Sequence, residues 1–393
     1  MRLALLTHEP FYPPSGGGSA EAIFLIEELV ARGHEVHLFC PVFPDYEKNA
    51  ERFGIHIHPF SGWKMGRYTK FRSLKYLAYP RYLRNLVLKT SRDIQFDALF
   101  SQHAISAVAA GKLSSKLNIP VVMNFLDYLT GFMESWPRWV MPRLVLNQLM
   151  RFELNLPIRY DANAVLTVSD ELAKRVINNG FPASRVLTIH YGYDAASFPV
   201  AKSTADSPPT IVMHGSFDTH HLGPIATQAI SRIAKERPDA HFLFIGKETD
   251  ALKKLTKTVR QTSRSANIQC SGFVDYKQIA SGLGQAHVGI IPYESSVGSH
   301  CAFVAKMVEY TAVGLPVVST PLSGVKSYFG GEPSVRFSEF DGEQFAKDVL
   351  QVLNEPPPEA ETKRLAKRVA TELDWKIVCR NAVNRLETVM NER

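Results

Sequence analysis

KMVEYTAVGLPVVST, residues 306–320, decides how this 393-residue chain is read. Lys306 and Glu309 are three apart, so on a helix they share one face. Gly314 suits the left-handed position that ends a helix, Pro316 cannot continue one, and Val317 and Val318 open a buried strand. One ammonium and one carboxylate are therefore set where a helix turns into a core strand. A carboxylate in that place can accept both hydroxyls of a ribose, and a lysine can meet a diphosphate as a point charge. An ordinary ion pair on a surface helix would show the same spacing.

Outward from this stretch, strand and helix alternate along the chain. A strand at 2–7 leads into the loop EPFYPPSGGGSAEA, then a helix through Leu25, Ile26, Leu29 and Val30 that stops at Gly33, then a strand at 35–40. That order begins a doubly wound parallel sheet. Further buried strands read at 98–101, 121–124 and 164–168. PVAKSTADSPP, residues 199–209, is polar and bounded by prolines, as a linker is. Beyond it, strands at 210–214, 241–245, 268–272, 287–291 and 316–319 alternate with helices near 225–235, 251–262 and 276–283. The expected domains are 1–198 and 210–374, joined by 199–209, with a last amphipathic helix at 375–393.

Hydrophobic content of 45% and charged content of 21% describe a soluble globular protein. No apolar run approaches the roughly 20 residues needed to span a bilayer. The apolar run before His8, Glu9 and Pro10 is too short for a secretory core, so the expected location is cytoplasmic. Cys40, Cys270, Cys301 and Cys379 lie far apart with no CxxC spacing, which argues against a disulfide framework and a zinc site.

The net charge of +7 is concentrated: no acidic residue occurs between Glu51 and Asp93. Lys64, Arg67, Lys70 and Arg72 are interleaved there with Trp63 and several tyrosines, a mixture that suits a lipid headgroup layer. Residues 135–152, SWPRWVMPRLVLNQLMRF, place Trp136 and Trp139 beside Arg138 and Arg143, either as an interfacial wedge or as cover for a core. Peripheral association with the inner face of a membrane is the expectation. No recognised nucleic-acid module accompanies the charge.

Gly16, Gly17 and Gly18 fall between the first strand and the first helix, where backbone amides and the helix dipole favour an anion. The spacing is not GxGxxG and no Walker lysine follows, so neither a dinucleotide nor an ATP site is indicated. Asp127 lies just past the end of a strand, which in an open α/β sheet faces the crevice. It is a candidate general base, or a cap for the following turn. His56 with His58, and His220 with His221, lack a third ligand in the sequence, and no DxD motif occurs; no metal is expected.

DANAVLTVSDELAKRVINNGF followed by VLTIHYGYDAASF carries Thr167, Val168, Ser169, Gly192, Asp194 and Phe198. With the glycine loop and the Glu309 stretch, these segments resemble the GT-B glycosyltransferases, in particular the retaining family numbered 4. The resemblance implies two Rossmann-like doubly wound domains facing across a cleft, with the last helix crossing back to the first. It implies transfer of a sugar from a nucleotide diphosphate, with UDP expected, to a lipid-linked saccharide or polysaccharide in cell-surface glycan synthesis, without metal or other cofactor. A narrower likeness of PYESSVGSHCAFVAKMVEY to exopolysaccharide transferases of the xanthan glucuronosyltransferase type implies that Glu309 meets the ribose, Lys306 and Tyr293 the diphosphate, and Gly215, Ser216 and Phe273 wall the phosphates and base. Gly16 to Gly18 would sit below the donor phosphates.

The departures concern the chemistry. Cys301 stands where the family has the first of two glutamates, Ser216 where it has arginine, and His221 or Leu222 where it has lysine. Leu126 replaces a histidine that often precedes the aspartate. PYESSVGSHCAFVAKMVEY is locally similar to membrane-associated exopolysaccharide transferases of the xanthan glucuronosyltransferase type, which leaves His300 and Cys301 as candidates beside the donor sugar. Asp127 as base would give inversion; in the retaining alternative the leaving diphosphate takes the proton. A UDP-sugar 2-epimerase and a catalytically silent binding partner are the other classes compatible with the fold.

Overall fold

The computed structural model describes residues 1–14, 17–61, 72–200 and 208–391. The chain forms two compact units. Met1–Thr130, Met141–His190 and Trp375–Arg393 make the first, and Gly131–Val140 with Tyr191–Asp374 the second.

Among the described residues, the first unit is built on seven parallel strands: β1 (Arg2–Leu6), β2 (Glu35–Pro41), β3 (His56–Phe60), β4 (Ala98–Gln102), β5 (Val121–Phe125), β6 (Ala164–Thr167) and β7 (Val186–Thr188). Their order is β3-β2-β1-β4-β5-β6-β7. β4, β5 and β6 are buried along their whole length, because crossover helices cover a parallel sheet on both faces. The second unit has six: β8 (Thr210–His214), β9 (His241–Ile245), β10 (Asn267–Cys270), β11 (Val288–Ile291), β12 (Val317–Ser319) and β13 (Val335–Phe337), ordered β10-β9-β8-β11-β12-β13. Each sheet starts in its middle, runs to one edge and returns to the other. The order reverses between β1 and β4 in one and between β8 and β11 in the other, and ligand crevices form at the carboxyl ends of strands at such points.

β3 and β13 escape a reading by apolar runs. Both are edge strands; HIHPF is exposed or half-buried except at Phe60, and β13 is three residues long. The boundaries also differ from those expected at 198 and 210. Residues 131–140 join the second unit because Gly131–Ser135, a short 3-10 helix, packs on the helix Val297–Cys301, where the Val297 amide donates to the Glu134 carboxylate at 2.7 Å. Tyr193 joins it through its amide, which donates to the Leu373 carbonyl at 3.0 Å. Most of the expected linker, residues 201–207, lies outside the described residues.

The final helix, Trp375–Asn391, belongs to the first unit and packs on the helix Gly17–Ala31. Val378, Cys379, Ala382, Val383, Leu386 and Val389 form its buried stripe at helical spacing. Trp375 stacks on Phe24 with centroids 6.4 Å apart, and Arg32 donates to Glu387 at 2.6 Å.

At the switch point of the first sheet, Gln102 and Asn124 each donate an amide hydrogen to the buried Glu21 carboxyl, both at 2.7 Å. Burial outweighs these two bonds and pushes Glu21 up to about 7. A carboxyl raised on folding adds stability that is fully present below about pH 4.5 and is lost as pH rises to about 7, because the unfolded chain ionises first. Relative to wild type, Glu21→Gln should therefore gain unfolding free energy as pH rises from about 5 to 8, by about 1.4 kcal/mol for each unit of pKa difference removed. Urea unfolding at the two pH values checks this; a difference that does not change with pH would contradict it.

Candidate functional site

The helix Ala305–Ala312 carries Lys306 and Glu309 and ends as its sequence requires. Gly314 has φ 79°, its amide donates to the Thr311 carbonyl at 3.1 Å, and the Leu315 amide donates to the Tyr310 carbonyl at 2.9 Å. Lys306 is 7% exposed and Glu309 4%, which excludes a solvated surface pair. Both charges are instead built into the interior of the second unit.

Lys306 Nζ donates to the Tyr293 hydroxyl at 2.9 Å and lies 5.5 Å from the centre of that ring. Tyr293 follows the carboxyl end of β11, so the pair stands at the switch point of the sheet. Glu309 is engaged by His214 Nε2 and by the Tyr276 hydroxyl. Burial, with the negative charge of Glu309, holds the Tyr276 hydroxyl well above its ordinary pKa, so it remains a donor. His214 is the last residue of β8; its backbone amide donates to the Tyr310 hydroxyl at 3.1 Å. Its Nδ1 has no hydrogen-bond partner among the described residues.

Tyr276 is itself buttressed by the Gly192–Asp194–Phe198 turn. The Phe198 ring lies 5.0 Å from Tyr276 and 6.2 Å from Tyr193, and the Asp194 carboxylate accepts from the Ala196 amide at 3.2 Å and the Ser197 hydroxyl at 2.5 Å. This turn, read from the sequence only as a family feature, thus supports the side chain that orients Glu309.

Glycines follow the ends of three neighbouring strands: Gly215 after β8, Gly246 after β9 and Gly272 after β10, with φ of 95°, 153° and 75°. The Gly215 amide donates to the Ile245 carbonyl at 2.9 Å, and a Cβ on Gly246 would fall 2.3 Å from the Gly215 oxygen. A Cβ on Gly215 would come within 3.1 Å of Lys306 Nζ. The backbone thus approaches the lysine as closely as a bare chain allows. Ser216 is half-buried beside it, and Phe273 stands 70% exposed beyond β10.

His221, which with Leu222 is a candidate for the position where the family has lysine, is buried with its ring 4.4 Å from Tyr293. The Asp218 amide donates to its Nδ1 at 3.2 Å, which places the imidazole proton on Nε2. His220 lies 3.8 Å from His221 and 5.2 Å from Phe132, ring to ring. Asp218 also brings a carboxylate to the two histidines, a third potential ligand that the sequence reading did not connect with them. His300 is held between Ser323 at 3.1 Å and Ser295 at 3.2 Å, and Cys301 is fully buried, leaving it no accessible surface for a sugar.

In the first unit, Asp127 is half-buried two residues past β5. The loop that follows is pinned by Glu153, which accepts from the Leu129 amide at 3.0 Å and from the Thr130 amide and hydroxyl at 2.8 and 2.5 Å. Burial pushes Glu153 up to about 7. Gly17 opens the first helix and Gly16 lies outside the described residues. A Cβ on Gly18 would fall 2.6 Å from His103 Nε2 and 3.0 Å from a Glu9 oxygen; the nearby carboxylate weighs against a phosphate seated on Gly18 itself.

Of the expected membrane contacts, Trp63, Lys64, Arg67 and Lys70 lie outside the described residues, and Arg72 is the first residue of the helix Arg72–Thr90. In the second unit Trp136 is half-buried and Trp139 is 86% exposed. On the helix Arg143–Arg159 of the first unit, Arg143 is exposed, as are Leu144 at 82%, Val145, Phe152 and Ile158. These apolar side chains do not cover a core. Among the described residues, no helix is long and apolar enough to cross a membrane.

Residues 15–197 match the family model Glycosyltransferase Family 4, and residues 208–355 match Glycosyl transferases group 1. The chain is a GT-B glycosyltransferase. Among solved structures its fold resembles sucrose-phosphate synthase from Thermosynechococcus elongatus (TM-score 0.81, 13% identity, all of both chains covered). It also resembles Anabaena HepE in complex with UDP and glucose (0.73, 15%, 98% of this chain and 99% of that one). WaaG, a glycosyltransferase involved in lipopolysaccharide biosynthesis, matches at 0.63 and 12%, with 96% and 97% covered. No curated protein matches the sequence.

Sequence reasoning missed three residues of this candidate site: His214, Tyr276 and Gly246. His214 was within reach, since a polar residue ending a central parallel strand faces the crevice. Tyr276 reaches Glu309 only through the fold. In the cradle, Gly246→Ala should cost at least about 1–3 kcal/mol of stability, since it combines a φ that L residues avoid with contact against backbone. Thermal unfolding checks this; an unchanged Tm would show that the Gly215–Gly246 approach is not required.

Proposed function

We propose that this glycosyltransferase transfers a sugar from a UDP-linked donor to a lipid-linked or polysaccharide acceptor in cell-surface glycan synthesis, working at a membrane surface. The observation that carries the donor half is the buried Lys306–Tyr293 pair beside the Gly215–Gly246 backbone, at the carboxyl ends of the central strands. A diphosphate would bring negative charge to a buried ammonium and a phenol hydroxyl beside closely approaching backbone, in place of the arginine and lysine that the resemblance implies. Glu309 accepts the ribose hydroxyls with the lone pairs that His214 and Tyr276 leave, or by exchanging one of these partners for the nucleoside. UDP appears as a bound ligand of HepE, a protein of similar fold, and supports the choice of nucleotide.

The acceptor half rests on exposed side chains. Trp139 in one unit, and Leu144 and Val145 beside Arg143 in the other, present rings, aliphatic surface and cations of the kind that partition into a headgroup layer. Asp127, held on a loop that Glu153 fixes, serves as the base if the transfer inverts; if it retains, the leaving diphosphate accepts the acceptor's proton.

Isothermal titration with UDP tests the donor site. Wild type is expected to bind UDP, and Lys306→Ala and Glu309→Ala are each expected to weaken binding by tenfold or more. Equal affinity in the Lys306 variant would remove the diphosphate assignment, and equal affinity in the Glu309 variant the ribose assignment. Asp127→Asn is expected to retain UDP affinity and lose turnover if it is the base; full turnover would exclude that role.

A further inference from the structure

The histidine-rich edge of the first sheet takes no part in the chemistry above. β2 and β3 pair in parallel with His37 opposite His56 and Phe39 opposite His58. Residues two apart on a strand share a face, so Glu35 and His37 come to the same side as His56 and His58. The sequence shows His56 and His58 as a lone alternate pair; the strand register supplies what the sequence lacked.

We propose that Glu35, His37 and His56 form a three-ligand site for a divalent transition metal ion of the kind Zn2+ represents. One oxygen, Glu35 Oε1, lies 2.9 Å from His37 Nε2 and 3.9 Å from His56 Nε2, and the three ligand atoms all fall within 4.8 Å of one another. With metal–ligand bonds of about 2.1 Å, the ligand atoms of a tetrahedral ion stand about 3.4 Å apart, so these separations need only small side-chain shifts. His37, 1% exposed, has its second nitrogen occupied: Nδ1 lies 2.9 Å from His58 Nε2. This is the outer hydrogen bond that orients a metal-binding imidazole and leaves Nε2 for the ion. His58 is in turn stacked on Phe39, with ring centres 4.6 Å apart, and Phe96 meets His37 edge-on at 5.2 Å, giving the site an aromatic surround.

The other side is open. His56 is 61% exposed in its side chain, which gives an ion an entry path and leaves its fourth position to water. The other Glu35 oxygen is held 2.9 Å from Arg2 Nε, which fixes the carboxylate and also opposes a cation, so the site binds more weakly than an all-histidine one. Imidazole ligands favour Zn2+ and its neighbours over Mg2+ or Ca2+. Filling the site ties the edge strand β3 to β2, and an ion bound only by the folded chain raises its unfolding temperature.

The test uses the tag-free, chelator-treated full chain titrated with ZnCl2, with Tm followed in parallel. One Zn2+ bound per chain, a Tm raised by Zn2+ and unmoved by Mg2+, and at least tenfold weaker binding in both His56→Ala and Glu35→Gln are expected. His56 is exposed, so its variant is expected to keep the fold, which circular dichroism checks for both. Asp218→Asn, which removes the carboxylate of the other histidine cluster, should leave Zn2+ affinity unchanged. No saturable Zn2+ binding, or binding as tight in His56→Ala and Glu35→Gln as in wild type, would overturn the proposal. So would loss of binding in Asp218→Asn alone.

Discussion

The contact between the Glu309 carboxylate and His214 is the interaction on which the rest of the second unit's site depends. A charge this deeply buried is costly unless hydrogen-bonded, and Glu309 and its two partners come from three separate parts of the fold. His214 ends β8, Glu309 lies on Ala305–Ala312, and Tyr276 begins the helix Tyr276–Leu283. The Tyr310 hydroxyl, next to Glu309 in sequence, accepts the His214 amide and closes the loop between helix and strand. Once these groups are fixed, Lys306 one turn earlier can only face Tyr293 and the Gly215 backbone. The edge proposed to bind the diphosphate is thus a consequence of how one carboxylate is satisfied.

This arrangement gives a physical account of the departures from the family pattern. Positions that the resemblance gives to arginine and lysine hold Ser216 and either His221 or Leu222, and none of these brings a fixed positive charge. His221 has its proton on Nε2, and its ring packs on Tyr293. In the proposed donor site, compensation for a diphosphate would fall on Lys306, on the Tyr293 hydroxyl and on close backbone approach, with glycines at positive φ permitting the last. A buried lysine in low-dielectric surroundings attracts an anion more strongly than an exposed one does, so fewer cations can suffice.

Much of this was legible in the chain. The helix, glycine turn and strand of residues 306–320 and the alternating strands follow from local chemistry and from the order of elements, whereas Lys306 and Tyr293 are named together through a family resemblance and their hydrogen bond to one another comes only from the fold. What was not legible lies where side chains far apart in sequence meet. Tyr276 reaches Glu309 through packing on Phe198, and Gly246 matters only because its strand lies beside that of Gly215. β3 escaped because an edge strand need not be apolar, and its histidines gained meaning only from a register that sets His56 against His37. Residues 131–140 read as part of the first domain because nothing in their composition shows that they pack on Val297–Cys301.

The most direct test of the central claim, that the donor's diphosphate sits at the Lys306–Tyr293 edge of the second unit, is amide hydrogen exchange with and without saturating UDP. The account predicts slowed exchange at Gly215 and Ser216, at Gly246 and along Ala305–Ala312, with the sheet edge at β2 and β3 unaffected. Protection absent from those segments, or confined to the first unit, would contradict it.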